Sequence, residues 1–171
     1  MKKTYFALAV SAVLSGACAT STPPGPSVTA ALNPASGSKV NGTVTFTQIG
    51  TDRVRVSGNV AGHTPGQKGF HIHENGDCSA ADAMSAGGHF NPMKAKHAAS
   101  PTSGHAGDMG NLTFDGSGRA TVSMTLDGLS VSTNASNGII GRAVVVHMQP
   151  DDLTTDPTGN AGGRAACGVI R

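Results

Sequence analysis

The stretch Gly42-Thr-Val-Thr-Phe-Thr-Gln-Ile49 decides the fold class of this chain. Its apolar residues Val44 and Phe46 alternate with threonines, so an extended segment would present one apolar face and one polar face. This period of two is typical of a β-strand that is buried on one side. The stretch therefore predicts a strand in a half-buried sheet.

Similar alternation occurs elsewhere along the chain. It is carried by Val54, Val56 and Val60, and again by Ala120, Val122, Met124 and Leu126. Turn dipeptides separate these segments: Asn41-Gly42, Asp115-Gly116 and Asp127-Gly128. No segment has a sustained helical period. Several short strands separated by turns predict an all-β sandwich or barrel.

Two long segments lack this alternation, Glu74 to Asn111 and Gln149 to Gly163. Loops of this length without secondary structure are usually functional. We therefore expect the site of the protein to lie in these two segments.

Composition excludes one class of function. The formal net charge of +2 comes from 12 basic and 10 acidic residues. Removing Lys2 and Lys3 with a leader peptide leaves 10 of each, so the remaining chain is neutral. A nucleic-acid-binding domain would carry a basic excess. The sequence predicts no nucleic-acid partner.

The N-terminus has the pattern of an export signal. Lys2 and Lys3 precede the apolar stretch from Phe6 to Leu14, which is too short to span a bilayer, and small residues follow. We predict a signal peptide over residues 1–18, a proline-rich tether over 19–27 and a single domain over 28–171. Export predicts a compartment in which disulfides persist.

Cys18 is one of three cysteines and lies where the leader ends. Leu14-Ser-Gly-Ala-Cys18 resembles a lipoprotein leader, although the leucine is four residues before the cysteine rather than three. Lipidation of Cys18 would anchor the protein to a membrane facing the periplasm, with the outer membrane expected. Alternatively, cleavage after Ala19 would give a soluble periplasmic protein.

The chain has seven histidines, five of them between positions 71 and 105. His71 and His73 are two residues apart, so on a strand both side chains face the same way and can reach one ion. This pair alone also fits surface histidines or a cupin-type iron site. His147 follows an apolar strand and could complete an imidazole-rich site with the pair, which suits copper.

A second set of ligands lies in the first long segment. Three histidines and a carboxylate form a closed tetrahedral set of the kind that zinc accepts, and such a site would be structural. The set consists of His89, His97, His105 and Asp108.

Five segments, in order, resemble the copper/zinc superoxide dismutases, over about Thr43 to Ile170. They are Gly69-Phe-His-Ile-His-Glu74, Gly88-His-Phe-Asn-Pro92, His105-Ala-Gly-Asp108, Gly141-Arg-Ala-Val-Val-Val-His147 and Gly159-Asn-Ala-Gly-Gly-Arg-Ala-Ala-Cys-Gly-Val-Ile170. This resemblance implies an eight-stranded Greek-key β-barrel or sandwich of immunoglobulin-like type with two long functional loops. It also implies dismutation of superoxide to O2 and H2O2, with one copper and one zinc per chain.

The resemblance also assigns roles to individual residues. Arg164 would hold the substrate anion, Asp151 would link a copper histidine to a zinc histidine, and Cys78 and Cys167 would form a disulfide. His89 would bridge the metals and carry a proton. The implied copper ligands are His71, His73, His89 and His147, and the implied zinc ligands are His89, His97, His105 and Asp108.

The chain also departs from the family. No lysine lies between His147 and Arg164, where many members have one, so Lys68, Lys94 and Lys96 are the remaining candidates for attracting an anion. His63 is expected to be a turn residue without a role. The methionines Met84, Met93 and Met109 are expected to serve packing. The segment Glu74 to Cys78 is shorter than in animal-type members, which leaves the choice between monomer and homodimer open.

Two other functions use the same residues. A copper-binding or copper-buffering protein of this fold would keep the ligands without fast turnover and would not need Arg164. A secreted β-domain with structural zinc alone would not need four copper histidines. The motif around Arg164 and the second histidine set favour the dismutase.

Overall fold

The computed structural model describes Met1 and residues 25–171. Eight antiparallel strands form a nearly closed barrel, which confirms the predicted fold class. The strands are β1 (Ser27–Pro34), β2 (Asn41–Gly50), β3 (Arg53–Ala61), β4 (Gly66–His73), β5 (Asp108–Phe114), β6 (Arg119–Asp127), β7 (Ala143–His147) and β8 (Arg164–Val169). One short 3-10 helix spans Met84–Ala86. None of the described residues forms a helix with the length and hydropathy needed to cross a membrane.

The strand order around the barrel is β5-β4-β7-β8-β1-β2-β3-β6. Strands β3 and β4 follow each other in the chain but are not neighbours, and the same holds for β6 and β7. Such connections between non-neighbouring strands are typical of Greek-key folds. Strand β1 pairs with both β2 and β8, and so joins the two halves of the barrel.

The alternating residues point into the barrel as predicted. Val44 and Phe46 of β2 are fully buried, and so are Val54 and Val56 of β3. Their outward neighbours are polar and at least partly exposed. The period of two therefore arises because only the inner face of these strands contributes to the core.

Residues 25–27, which were predicted as part of the tether, belong to the folded domain. Strand β1 was not among the strands predicted from alternation. Strand β1 begins at Ser27, and Gly25 and Pro26 already exchange backbone hydrogen bonds with Gln48. The alternation in β1 is carried by Ala30 and Leu32 among alanine and asparagine, which have weak strand propensity. The signal peptide, Cys18 and the rest of the tether lie outside the described residues.

Two long connections of the barrel correspond to the predicted segments, the loop 74–107 between β4 and β5 and the loop 148–163 between β7 and β8, and a third long connection, 128–142, joins β6 to β7. The first is shorter than predicted because β5 begins at Asp108. A disulfide joins Cys78 in this loop to Cys167 of β8, with a sequence separation of 89 residues, which confirms the implied pairing. In the loop-entropy model, a closure of this length stabilises the fold by about 4 to 5 kcal/mol.

Candidate metal centre

Strand β4 supplies two adjacent imidazoles. His71 and His73 face outwards from the barrel, whereas Phe70 and Ile72, which alternate with them, pack in the core. Both histidines are nevertheless fully buried, because the loop 74–107 returns over this strand: Phe90 donates its backbone N–H to the carbonyl of Ile72.

The two β4 histidines form a compact group with one histidine from the loop and one from the end of β7. The group is His71, His73, His89 and His147, with ligand atoms within 4.8 Å of one another. His73 Nε2 lies 3.3 Å from His147 Nε2. His73 Nδ1 donates to the carbonyl of Gly87 at 2.9 Å, and His147 Nδ1 donates to that of Gly162 at 3.2 Å. Each Nε2 is therefore left unprotonated and directed towards its neighbour, as a metal ligand requires.

A second group surrounds the carboxylate of Asp108. Its Oδ1 lies 2.9 Å from His89 Nδ1, 3.1 Å from His97 Nδ1 and 3.3 Å from His105 Nδ1. Its Oδ2 accepts the backbone N–H groups of Ala98 and His105, which fixes the carboxylate. All four side chains of this group are buried.

His89 belongs to both groups, with one ring nitrogen directed at each. Its Nδ1 faces Asp108, while its Nε2 is buried without a hydrogen-bond partner among the described residues. His71 Nδ1 and His97 Nδ1 are buried and lack hydrogen bonds in the same way. An unsatisfied buried polar atom costs about 1 to 3 kcal/mol, so three of them clustered together need an explanation. Two metal ions would provide it, because the ligand atoms of the two groups lie close enough together to hold one ion each.

Burial keeps the imidazoles in the neutral form that binds metals. It lowers the pKa of His71 and His73 well below the ordinary value, and it lowers that of His147 to about 4. Neighbouring histidines add to the shift of His71 and His73 because two cations cannot lie so close together. No proton therefore has to be displaced from these three rings at neutral pH.

Asp151 forms a hydrogen bond with one histidine of each group. Its Oδ2 accepts from His71 Nε2 and its Oδ1 from His97 Nε2, both at 2.8 Å. Asn111 of β5 holds Asp151 through two hydrogen bonds, to its backbone N–H and carbonyl. A Cβ on Gly159 would lie 1.8 Å from Asp151 Oδ1, so this position excludes any larger residue.

Comparison with known proteins identifies the family. The family model for copper/zinc superoxide dismutase (SODC) matches residues 40–170. The chain belongs to the copper/zinc superoxide dismutase family. A crystal structure of the clock protein EA4 is 41% identical, covers 87% of this chain and 95% of its own, and superposes with a TM-score of 0.75. Among the described residues of this family member, each of the two groups could hold a metal ion.

Arg164 lies at the edge of the first group in this family member. Its guanidinium donates to the carbonyls of Ala83 and Gly87, and its residue is only 8% exposed. Gly87 also accepts from His73, so one carbonyl positions both the cation and a histidine of the first group. The arginine is therefore fixed by the loop that the disulfide ties to β8.

The candidate lysines, and two carboxylates of the loop 148–163, differ in their surroundings. Lys68 is buried and donates to the carbonyl of Met148, so it does not extend into solvent. Lys94 is exposed in the loop 74–107. Asp152 accepts hydrogen bonds from Thr155 and Asn160, and Asp156 accepts the backbone N–H of His97. Asp152 therefore orders the loop 148–163, whereas Asp156 joins this loop to the loop 74–107.

Some site-related residues escaped the sequence analysis. His63 is more than a turn residue, because its Nε2 lies 3.1 Å from the carbonyl oxygen of His147. Asn111 and Gly159 act through Asp151, and only its position in space reveals this. Met109 packs in the core as expected, whereas Met84 and Met93 are 60% and 80% exposed and do not serve packing.

Proposed function

We propose that this chain is an enzyme that converts two superoxide anions and two protons into O2 and H2O2. The observation that carries the proposal is the shared histidine, His89, whose Nε2 faces the group of four histidines while its Nδ1 faces Asp108. We assign one copper to the four histidines and one zinc to His89, His97, His105 and Asp108, because imidazole-rich sites suit copper and a closed N and O set suits zinc.

The side chains have separate tasks in this reaction. When bound, copper supplies the one-electron redox chemistry that none of these side chains possesses. Arg164 attracts and orients the superoxide anion with a fixed positive charge. His89 would carry a proton at Nε2 only while that nitrogen is not bound to copper, since its other nitrogen faces Asp108. Asp151 keeps the rings of His71 and His97 in a single tautomer.

The test combines metal content by plasma mass spectrometry with a superoxide-consumption assay. We expect one copper and one zinc per chain and rapid consumption of superoxide. The variant His89→Ala should lose zinc occupancy and the coupled proton delivery. Full activity with both metals retained in His89→Ala would contradict the shared-ligand assignment.

A copper-buffering protein is the second candidate, because it would use the same four histidines. The clock protein EA4 has a similar fold under a different description, so the fold alone does not establish turnover. The buried, doubly hydrogen-bonded Arg164 favours the enzyme, since copper storage needs no anion site. Binding of copper without superoxide consumption would favour the buffering protein.

We further propose that the mature chain begins at a lipid-modified Cys18 and is held on a membrane facing the periplasm. Cys18 is the cysteine left over once Cys78 and Cys167 have paired. Stable anchoring requires more than one acyl chain, which lipoprotein processing supplies. Intact-mass analysis of the natively expressed protein tests this proposal. A mature mass starting at Thr20, without lipid and in the soluble fraction, would contradict it.

A further inference from the structure

The regular strand pairing is interrupted at the last histidine of the four-histidine group. The ladder between β4 and β7 runs only as far as Phe70 and Val146, and β7 ends one residue later, at His147. The register with β8 also shifts between Val146 and His147. The carbonyls of His147 and Met148 lie between Val146, the last residue of the ladder, and Gln149, whose carbonyl accepts the N–H of Gly69 in β4. Buried carbonyls must find a donor elsewhere.

A half-buried histidine provides the first donor. The Nε2 of His63 is 3.1 Å from the carbonyl oxygen of His147, which can only accept, so Nε2 carries the proton. The hydroxyl of Thr64 lies 3.2 Å from His63 Nδ1 and can donate to it. The ring also packs against Phe114 of β5, with 5.0 Å between the ring centroids. The imidazole is thereby fixed from three sides.

A buried lysine provides the second donor. The ammonium of Lys68 donates to the carbonyl of Met148 at 3.0 Å, and the residue is only 8% exposed. Hydrogen bonds from a charged donor are roughly twice as strong as neutral ones. Lys68 lies on β4, the strand that carries His71 and His73. Strand β4 therefore carries two histidines of the group itself. Its lysine also holds the carbonyl of Met148, the residue that follows a third histidine, His147.

We infer that His63 and Lys68 are positioning residues for the copper ligand His147. Other contacts fix this ligand from the opposite side: its Nδ1 donates to Gly162, and the N–H of Met148 donates to Gly163 at 2.7 Å. His63 and Lys68 complete the set by holding the two carbonyls. This inference rests on the proposed copper site and extends it to two residues outside the ligand set.

The test uses the full, disulfide-bonded chain stripped of metal. The variants Lys68→Met and His63→Phe keep the volume and remove the donor, whereas Lys68→Arg and His63→Gln keep a donor. Lys39→Met is the matched control, because Lys39 is an exposed lysine in the turn between β1 and β2. Copper affinity is measured by chelator competition, the Cu(II) geometry by electron paramagnetic resonance, and zinc affinity in parallel.

We expect Lys68→Met and His63→Phe each to weaken copper binding by about tenfold, the lower range for residues that orient metal ligands. Their Cu(II) spectra should change, the donor-keeping variants should recover the wild-type spectrum, and zinc affinity should stay constant. Wild-type copper affinity and spectrum in both donor-free variants would overturn the inference. Equal weakening of zinc and copper would also overturn it, because that pattern indicates a general structural role.

The outcome separates this inference from the proposed function. If the wild type binds copper but consumes no superoxide, the proposed function is wrong, and the copper affinities still decide the role of His63 and Lys68. If the wild type binds copper and consumes superoxide, the copper affinities of the variants decide the role of His63 and Lys68 without reference to the activity. If the wild type binds no copper, both proposals are overturned.

Discussion

The two halves of the barrel differ in what covers their outer faces. In β2, β3 and β6 the inner face is buried and the outer face is polar and largely exposed. In β7 every residue is buried, and in β4 and β8 nearly every residue is. The loops 74–107 and 148–163 cover this second half, and the polar side chains between loops and strands form the candidate metal centre.

The two halves therefore obtain their stability from different interactions. The open half is stabilised by the packing of its inward side chains into an aliphatic and aromatic core that it shares with the covered half. The covered half adds a buried layer of histidines, aspartates and an arginine, whose burial is unfavourable unless each polar atom has a partner. We therefore expect the covered half to depend on metal ions, and the open half to depend on packing.

Removing the metals should have the largest effect. A ligand present at about 1,000 times its Kd stabilises a protein by about 4 kcal/mol, so metal-free protein should lose at least this much unfolding free energy. Thermal melts with and without chelator measure the loss. Hydrogen exchange should show the earliest loss of protection in the loops 74–107 and 148–163. Equal early loss in β2 and β3 would contradict the separation of the two halves.

A core substitution in the open half should have the next largest effect. Phe46 is fully buried in β2, and Phe46→Ala should lower the unfolding free energy by about 3 to 4 kcal/mol, because it leaves a cavity. Denaturant titration measures this change. The control Thr45→Ala lies on the outward face and should change the free energy by less than about 1 kcal/mol. Tenfold weaker metal binding by folded Phe46→Ala would show that the halves are coupled.

A charge reversal at the metal centre is measured by the rate of superoxide consumption, where a tenfold change corresponds to about 1.4 kcal/mol, the smallest of the three effects. Arg164→Glu should slow superoxide consumption at least about tenfold, which is the lower range of electrostatic steering. The control Arg55→Glu, on the exposed face of β3, should leave the rate unchanged. In the wild type the rate should fall as salt rises, since screening acts over about 10 Å at 0.1 M. Equal rates in the two variants would remove Arg164 from the anion site.

The sequence by itself determined the fold class and the residues from which the site is built. Alternation marked β2, β3 and β6 because each has one face in the core and one in solvent. The histidine motifs stood out because their residue types are rare and their spacing is tight. Alternation was absent from β7, where Val144 to Val146 are all buried, so its continuous apolar run rather than a period of two predicted that strand.

The contacts between groups that are far apart in the chain are known only from the folded structure. The resemblance implied that Asp151 links two histidines, but only the folded structure shows that Asn111 holds its backbone and Gly159 leaves room for its carboxylate. Strand β1 forms because two neighbouring strands supply hydrogen-bond partners that its own residues do not encode. His63 and Lys68 contact the carbonyls of His147 and Met148, which lie about 80 residues further along the chain. Such contacts depend on the closure of the barrel, and no local period or motif in the sequence records them.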